Sequence, residues 1–284
     1  MVNLRSILFT PLFASTLVSL AACSSNGRSD GITADAQIAI TDGPPEAPPD
    51  GPPGDPTSYN LSCAGMALPT TAPATVTING RTESIGEGQP LDSVDIQIFR
   101  AGTPAPLVST TSDATGTWTS GALNTNGVPI DGSIRAAKAT YRTTYVFPPQ
   151  AISADVPGAP IPLIPSAMFD ALGSQFNQDD TAHGAFMIVV TDCMGMPISD
   201  ATLSVQQGGA EGGAEVGTQL NLGAMVPQAA GIYFVFNVPA GPTLVNASYQ
   251  STSFLAHTVV AFSKSASGDP DGSISTTILR PGPL

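Results

Sequence analysis

The stretch "GMPISDATLSV" (residues 195–205) and the later stretch "GIYFVFNVPAG" (residues 231–241) decide the fold of this chain. In the first, a glycine turn and the pair Pro197-Ile198 lead into residues 202–205, where apolar and polar side chains alternate. In the second, a turn glycine precedes a short run rich in aromatic residues. Alternation and short apolar runs bounded by turn residues are typical of β-strands. Both stretches therefore predict strands joined by turns.

The same order of elements occurs earlier in the chain. "GEGQPLDSVDIQIF" (residues 86–99) is followed by "ATGTWTSG" (residues 114–121), and Pro90-Leu91 corresponds to Pro197-Ile198. A glycine turn, a Pro-Leu or Pro-Ile pair, a strand, and then a turn glycine before an aromatic strand appear in both halves. This correspondence indicates an internal repeat.

This order resembles the carboxypeptidase regulatory-like, or prealbumin-like, domain over residues 74 to about 150 and again over residues 185–282. The resemblance implies a seven-stranded antiparallel sandwich for each copy. The first copy departs more from the family pattern, because the acidic Asp95 enters its strand. We therefore expect an all-β protein with two tandem antiparallel β-sandwich domains of the prealbumin-like Greek-key type. A short helix between them and a disordered N-terminal signal and tether complete the expected architecture.

The expected organisation has five parts. They are a lipoprotein signal peptide (1–22), a tether rich in Pro and Gly (23–73), a first sandwich (74–165), a connecting helix and linker (166–182) and a second sandwich (183–284). In the connecting segment, Ser166 is the expected N-cap, and Met168, Phe169, Leu172 and Phe176 share one helical face. The alternatives for that face are burial against the sandwiches and an exposed binding stripe.

The N-terminal apolar stretch, residues 7–22, is shorter than the roughly 20 residues that a bilayer-spanning helix needs. It follows Arg5 and ends in "LAAC" (residues 20–23), which resembles the lipobox of bacterial lipoproteins. The resemblance implies cleavage before Cys23 and acylation, such as palmitate, of its thiol. The alternative is an ordinary signal peptide with Cys23 as an unmodified residue. In the lipoproteins that this segment resembles, a residue that is neither acidic nor basic after the cysteine usually permits sorting to an outer membrane. The resemblance therefore implies an outer membrane-anchored lipoprotein of the cell envelope, which faces either the periplasm or the cell surface.

Composition restricts the partners of this chain. The formal net charge is -13, and the only two lysines are Lys138 and Lys264, which speaks against nucleic acid. The segment "DGPPEAPPDGPPGDP" (residues 42–56) predicts an extended, semi-rigid spacer of polyproline character. The lipid bilayer, reached through the N-terminal lipid, and an unidentified protein or glycan are the expected partners.

Three cysteines fit an exported protein. If Cys23 carries lipid, Cys63 and Cys193 remain as a candidate disulfide in an oxidising compartment. Two unpaired thiols are the alternative, because connectivity does not follow from sequence. Closing so long a loop would stabilise the fold by about 4 to 5 kcal/mol in the chain-entropy model.

No catalytic arrangement is evident in the sequence. His183 and His257 are the only histidines, and no G-x-S-x-G motif or zinc-binding spacing accompanies them. Asp269 and Asp271 lie in a Gly-bounded loop that reads as a β-turn rather than a calcium loop. We expect no enzyme activity, no metal and no cofactor.

The leading hypothesis is a non-enzymatic envelope lipoprotein whose sandwiches serve as binding or spacing modules. The alternative is a glycan-binding or accessory protein of an envelope complex; a hydrolase has no supporting residues. Trp118 and Tyr233 are the candidates for stacking on a sugar if they are exposed, and they are core residues if they are buried.

Overall fold

The computed structural model describes residues 59–224, 229–269 and 272–283. The predictions that concern Cys23, the signal peptide and most of the tether lie outside the described residues. The segment Ser58–Leu284 forms one compact unit. Among the described residues there are fifteen strands and two helices, so the predicted all-β class is confirmed.

The first half contains seven strands in two sheets. The strands are β1 (Thr75–Ser84), β2 (Asp95–Arg100), β3 (Val108–Thr111), β4 (Thr117–Asn124), β5 (Gly132–Ala137), β6 (Thr143–Phe147) and β7 (Val156–Leu163). One sheet has the order β4-β1-β7, and the other has the order β3-β2-β5-β6. Together they form the first sandwich.

Helix α1 (Ser166–Gln175) follows, and the second half repeats the pattern. Its elements are β8 (His183–Val190), β9 (Thr202–Gln207), β10 (Thr218–Asn221), β11 (Ile232–Pro239), β12 (Gly241–Tyr249), β13 (Thr252–Ser253), β14 (His257–Ala261), α2 (Lys264–Ser267) and β15 (Ser273–Leu279). The order β10-β11-β8-β15 makes one layer. In the other layer β12 pairs with β9 on one side and with β14 and β13 on the other.

The two sandwiches share a sheet, which the sequence analysis did not predict. Strand β15 pairs with β8 and also with β6 of the first half, so one sheet of eight strands crosses both sandwiches. Both pairings of β15 are parallel, as is the pairing of β1 with β7. These three pairs depart from the antiparallel pairing expected within each sandwich, because β7 and β15 each return to their sheet by a crossover rather than a hairpin.

The internal repeat is visible at a pair of equivalent glycines. The carbonyl of Gly116 (φ +74°) accepts a hydrogen bond from the amide of Thr82, and the carbonyl of Gly231 (φ +71°) accepts one from the amide of Val190. A Cβ on Gly116 would meet Pro90, and a Cβ on Gly231 would meet Pro197. The proline pairs that correspond in sequence therefore occupy equivalent places against a left-handed turn glycine.

Each sandwich has its own apolar core. The first core contains Val76 and Ile78 of β1, Ile96 and Ile98 of β2, and Trp118 of β4. The alternating pattern of β1 and β2 produces it, because every second side chain of a strand faces the same layer.

Strand β8 is buried on both faces. Phe186, Ile188 and Val190 face the second sandwich core, whereas Ala185 and Met187 face helix α1. Alternate side chains of strand β11 face the same two layers. Because both strands are buried on both faces, each has a continuous run of apolar residues in the sequence.

Helix α1 was predicted over residues 166–176 and is present over Ser166–Gln175. Its Phe169 is fully buried and stands against Phe236, so the apolar face is core rather than an exposed binding stripe. The predicted N-cap is wrong. Pro165 holds the cap position, and the buried hydroxyl of Ser166 has no hydrogen-bond partner among the described residues.

Candidate functional site

The junction between residues 59–66 and the second sandwich is built around a disulfide. Cys63 and Cys193 are bonded, with 5.8 Å between their Cα atoms, and they close a loop with a sequence separation of 130 residues. This is the pairing that the cysteine count suggested. The amide of Cys193 donates to the carbonyl of Asn60 (2.8 Å), so the backbone reinforces the covalent link.

Asp192 organises this junction. Its Oδ2 accepts a hydrogen bond from the Asn60 amide (2.9 Å), and its Oδ1 accepts from the amides of Met194 and Met196 (2.8 Å each). The carboxylate is 3% exposed. One buried side chain therefore orders the turn after Cys193 and also holds the incoming segment.

The C-terminal residues close the same junction. The guanidinium of Arg280 donates to the carbonyl of Cys193 (2.7 Å). A Cβ on Gly282 would come within 1.8 Å of the Cys63 carbonyl oxygen, so only glycine fits at that position. Burial lowers the pKa of Arg280, while the charge of Asp192 opposes that shift. Both ends of the described chain therefore meet at one buried cluster.

Trp118 and Tyr233, the candidates for sugar stacking, are buried. Trp118 is 2% exposed and packs across β1 over Gly80, where a Cβ would meet its ring nitrogen at 2.7 Å. Tyr233 is 4% exposed, and its hydroxyl donates to the carbonyl of Ala201 (2.8 Å). Stacking on a ligand requires an open ring face, so the stacking assignment is corrected and both residues belong to the cores.

The two histidines lie apart. His183 starts β8 with its Nδ1 3.9 Å from the carboxylate of Asp179. His257 starts β14, and its Nδ1 lies 3.0 Å from the hydroxyl of Thr277. Because that hydroxyl gives its single proton to the Phe147 carbonyl (2.9 Å), His257 must be the donor in this pair.

Asp269 takes part in a buried polar network. It forms an ion pair with Arg135 of β5 and accepts from the hydroxyl of Tyr145 of β6 (3.3 Å). Burial, with the charge of Asp269, raises the pKa of Tyr145. Asp271 lies outside the described residues. Within the described ranges, no group of three or more His, Cys, Asp or Glu side chains is placed to hold a metal ion.

A polar groove lies on the outer face of β9 and β12. It has a volume of about 210 Å³, and its lining residues are Ser204, Gln206, Glu211, Gly212, Leu244 and Asn246. Glu215 lies beside the groove. Burial alone would raise the pKa of its carboxyl group, but hydrogen bonds from Ser204, the Val205 amide and Gln206 outweigh burial and lower that pKa. The groove does not follow from the sequence, because alternating polar residues on a strand predict a solvent face without showing its shape.

Exposed methionines at the junction are a second feature that the sequence did not predict. Met66, Met194 and Met196 are 57%, 75% and 57% exposed. The spacing Cys-Met-Gly-Met at residues 193–196 was the available signal, since methionine on both sides of a turn glycine cannot enter a core easily.

Comparisons with known proteins leave the family open. No family model and no curated protein matches the chain. Among solved structures, the chain is similar to the Bacillus anthracis TIE protein, with 12% identity, a TM-score of 0.25, and coverage of 73% of this chain and 34% of the other. The chain thus spans about a third of that protein's length.

It is also similar to the shaft pilin SpaA of Lactobacillus rhamnosus GG, with 12% identity, a TM-score of 0.23, and coverage of 74% of this chain and 99% of the other. A streptococcal ancillary pilin matches with 12% identity, a TM-score of 0.22, and coverage of 73% and 63%. Scores at this level assign neither family nor function. No helix among the described residues is long and apolar enough to cross a membrane.

Proposed function

We propose that this chain is a cell-envelope lipoprotein whose lipid and proline-rich tether hold a rigid body of two prealbumin-like sandwiches. The body acts as a non-enzymatic binding or spacing module. The proposed division keeps the sequence boundaries, with sandwiches at residues 74–165 and 183–284. The proposed anchor is lipid on Cys23 in an outer membrane.

The disulfide junction is the observation that carries this proposal. Within the proposed tether, Cys63 is bonded to Cys193 of the second sandwich. Force applied through the tether would therefore enter the body at Cys193 and Arg280, beside β8 and β15 of the shared sheet. A body held in this way has a fixed attachment point and fixed exposed loops, as a spacer or a presenting module requires.

The glycan-binding alternative depended on two exposed aromatic residues, and neither is exposed. Trp118 and Tyr233 are both in the cores, and the six residues lining the polar groove include no aromatic side chain. Carbohydrate sites commonly use an exposed ring face, so the groove does not replace them. The binding or spacing role is therefore the stronger hypothesis.

Lipid attachment is tested by labelling with a palmitate analogue in a bacterium that has an outer membrane. Wild-type protein should incorporate the label and partition into detergent, and mass spectrometry should find the acylated Cys23 peptide. Cys23→Ser should lose both properties. The matched control, Cys63→Ser with Cys193→Ser, should keep the label, because it removes only the disulfide. A Cys23→Ser protein that still partitions into detergent would refute the anchor.

The binding role is tested by crosslinking on intact envelopes, followed by a pull-down with the full chain. A partner that survives exchange of residues 42–56 for a Gly/Ser tether of equal length would indicate a binding module. Loss of cellular function after that tether is shortened, without any crosslinked partner, would indicate a spacer. If shortening the tether changes nothing and no partner is captured, both forms of the proposal fail.

A further inference from the structure

Three methionines stand exposed around the disulfide. In the described residues, six large apolar side chains are exposed, and Met66, Met194 and Met196 are half of them. Met187, in contrast, is only 2% exposed in the core against helix α1. Met194 directly follows Cys193, and Met196 lies two residues further on. Met66 follows Cys63 by three residues. The disulfide therefore links the two turns that carry them.

The backbones that carry these methionines are ordered. Asp192 holds the amides of both Met194 and Met196, and the carbonyl of Met196 accepts from the Asp192 amide (2.9 Å). The Met66 amide donates to the carbonyl of Cys63 (3.2 Å). The side chains are thus presented to solvent from two turns that the Cys63–Cys193 bond ties together. Such ordering reduces the entropy lost when the side chains converge on a ligand.

The chemistry of the exposed atoms selects a ligand. Each methionine carries a neutral, polarizable thioether, and soft thioether sulfurs favour Cu(I) over harder divalent ions. We propose that Met66, Met194 and Met196 form a surface site for Cu(I), which the chemically similar ion Ag(I) would also occupy. This inference is independent of the lipid anchor and of the binding or spacing role.

The charges around the turn are compatible with a monovalent cation. Arg280 is the guanidinium that contacts this junction, and it is directed at the carbonyl of Cys193. The Asp192 carboxylate lies within the same cluster and offsets it. Thioethers do not need deprotonation, so binding should change little between pH 5 and pH 8, unlike binding by histidine or thiolate.

Affinity is measured by competition with bicinchoninate on the full, disulfide-bonded chain. Ascorbate keeps copper as Cu(I). Mass spectrometry, on samples prepared without a thiol reductant, verifies that the disulfide is intact. Wild-type protein should bind one equivalent. The double variant Met194→Leu with Met196→Leu should bind at least about tenfold more weakly, since even supporting residues of metal sites contribute 10- to 100-fold. Met66→Leu should show a smaller loss.

Leucine was chosen because it preserves the size and hydrophobicity of methionine and removes only the sulfur. The matched control is Met168→Leu on helix α1, which should leave the affinity unchanged. Circular dichroism verifies that every variant is folded. Equal affinity of the wild type and the double variant, or an equal loss in Met168→Leu, would overturn the proposal.

Peroxide oxidation gives an independent readout. Conversion of the thioethers to sulfoxides removes the soft ligand, so oxidised protein should lose Cu(I) and Ag(I) binding. One equivalent of Ag(I) should protect Met66, Met194 and Met196 against sulfoxide formation in peptide mapping, whereas Met168 should gain no protection. A protein whose three exposed methionines oxidise at the same rate with and without Ag(I) does not contain this site.

Discussion

At the scale of single residues, the buried polar side chains join segments that are distant in sequence. Arg142, with a side chain 5% exposed, forms ion pairs with Asp170 of helix α1 and with Asp180 (2.7 Å). Its guanidinium also lies 4.4 Å from the centre of the Phe169 ring. One cation therefore holds the start of β6, the helix and the loop before β8.

Arg142→Met should destabilise the protein by roughly 1–3 kcal/mol, because it removes the charged hydrogen bonds to Asp170, which is largely exposed, and to Asp180, which is partly buried. The matched control is Arg81→Met. Arg81 and Glu83 form an ion pair at 4.0 Å with side chains that are 57% and 49% exposed, so its loss should stay within about 0.5 kcal/mol. Urea unfolding measures both. Equal effects of the two variants would contradict the structural role assigned to Arg142.

His257 should make stability depend on pH. Burial lowers its pKa from the ordinary value, with the charge of Asp131 opposing the shift, so the unfolded chain binds a proton more readily than the folded chain. The free energy of unfolding should therefore rise with pH between the lowered pKa of folded His257 and about 6.5, the ordinary histidine value. The same stability should be lost as the pH falls from about 6.5 towards the folded pKa.

The test compares urea midpoints at pH 7 and pH 5 in wild type and His257→Asn. The asparagine amide can still donate to Thr277 but does not titrate, so the variant should lose less stability on acidification. His183→Gln is the control for removing a histidine elsewhere, and it should keep the wild-type difference. The assignment is wrong if His257→Asn and the wild type lose the same amount.

At the scale of elements, alternation and turn chemistry were sufficient to predict several strands, although not the proline-rich β7, and they did not predict which strands pair. The runs around Val76, Ile96 and Val205 became β1, β2 and β9, because alternation determines which side chains face a layer. The pairing of β15 with β6 depends on contacts between residues more than a hundred positions apart. No local pattern records such a contact.

Some features of the candidate sites could be predicted from the sequence, whereas others depend on which segments meet in the fold. The count of cysteines suggested the Cys63–Cys193 bond, and in the structure this bond links the turn of Met66 to the turn of Met194 and Met196. Trp118 and Tyr233 show the converse, since an aromatic residue in a strand faces either solvent or core according to a layer that the sequence does not show. The polar groove likewise depends on a loop folding over β9.

The repeat glycine of the second sandwich provides a prediction for an element. Gly231→Ala should be destabilising for two reasons, its positive φ of 71° and a Cβ that would lie 2.6 Å from the Val190 carbonyl oxygen. Gly195→Ala is the matched control, with φ of 82° and nothing within 4 Å of the added Cβ. The control should lose roughly 1–2 kcal/mol from the left-handed conformation alone.

Gly231→Ala should lose roughly 1–3 kcal/mol more than Gly195→Ala, the usual range for overpacking. Gly116→Ala should behave like Gly231→Ala, because its Cβ would lie 2.7 Å from the Thr82 carbonyl oxygen. Denaturant midpoints of the three variants measure this. A Gly231→Ala protein as stable as Gly195→Ala would count against the equivalence of the two turns.

At the scale of the whole molecule, the disulfide constrains the unfolded chain over the first sandwich, helix α1 and strand β8. Its loop has a sequence separation of 130 residues, for which the chain-entropy model gives about 5 kcal/mol. Cys63→Ser with Cys193→Ser should therefore be the least stable variant that still folds. Thiol titration of the denatured, unreduced wild type should find neither Cys63 nor Cys193 reactive. Two reactive thiols from these residues would contradict the bond.

The shared sheet predicts that the two sandwiches unfold together. Strand β15 pairs with β8 of the second sandwich and with β6 of the first, so unfolding of either half would strip a partner from a central strand of the same sheet. Trp118, the single tryptophan of the chain, lies in the first core and reports on that half alone. Gly231 lies at the start of β11, in the second half.

Gly231→Ala should therefore lower the denaturant midpoint of Trp118 fluorescence, although the two residues belong to different sandwiches. Amide hydrogen exchange provides the second probe, and amides of β1 and β11 should become exposed at one common midpoint, as a two-state transition requires. Replacing Thr276 by Pro should abolish the coupling, because Thr276 is paired on both sides of β15 and proline removes a ladder hydrogen bond. If the denaturant midpoint of Trp118 fluorescence is the same in Gly231→Ala and in the wild type, the eight-stranded sheet does not act as one cooperative unit.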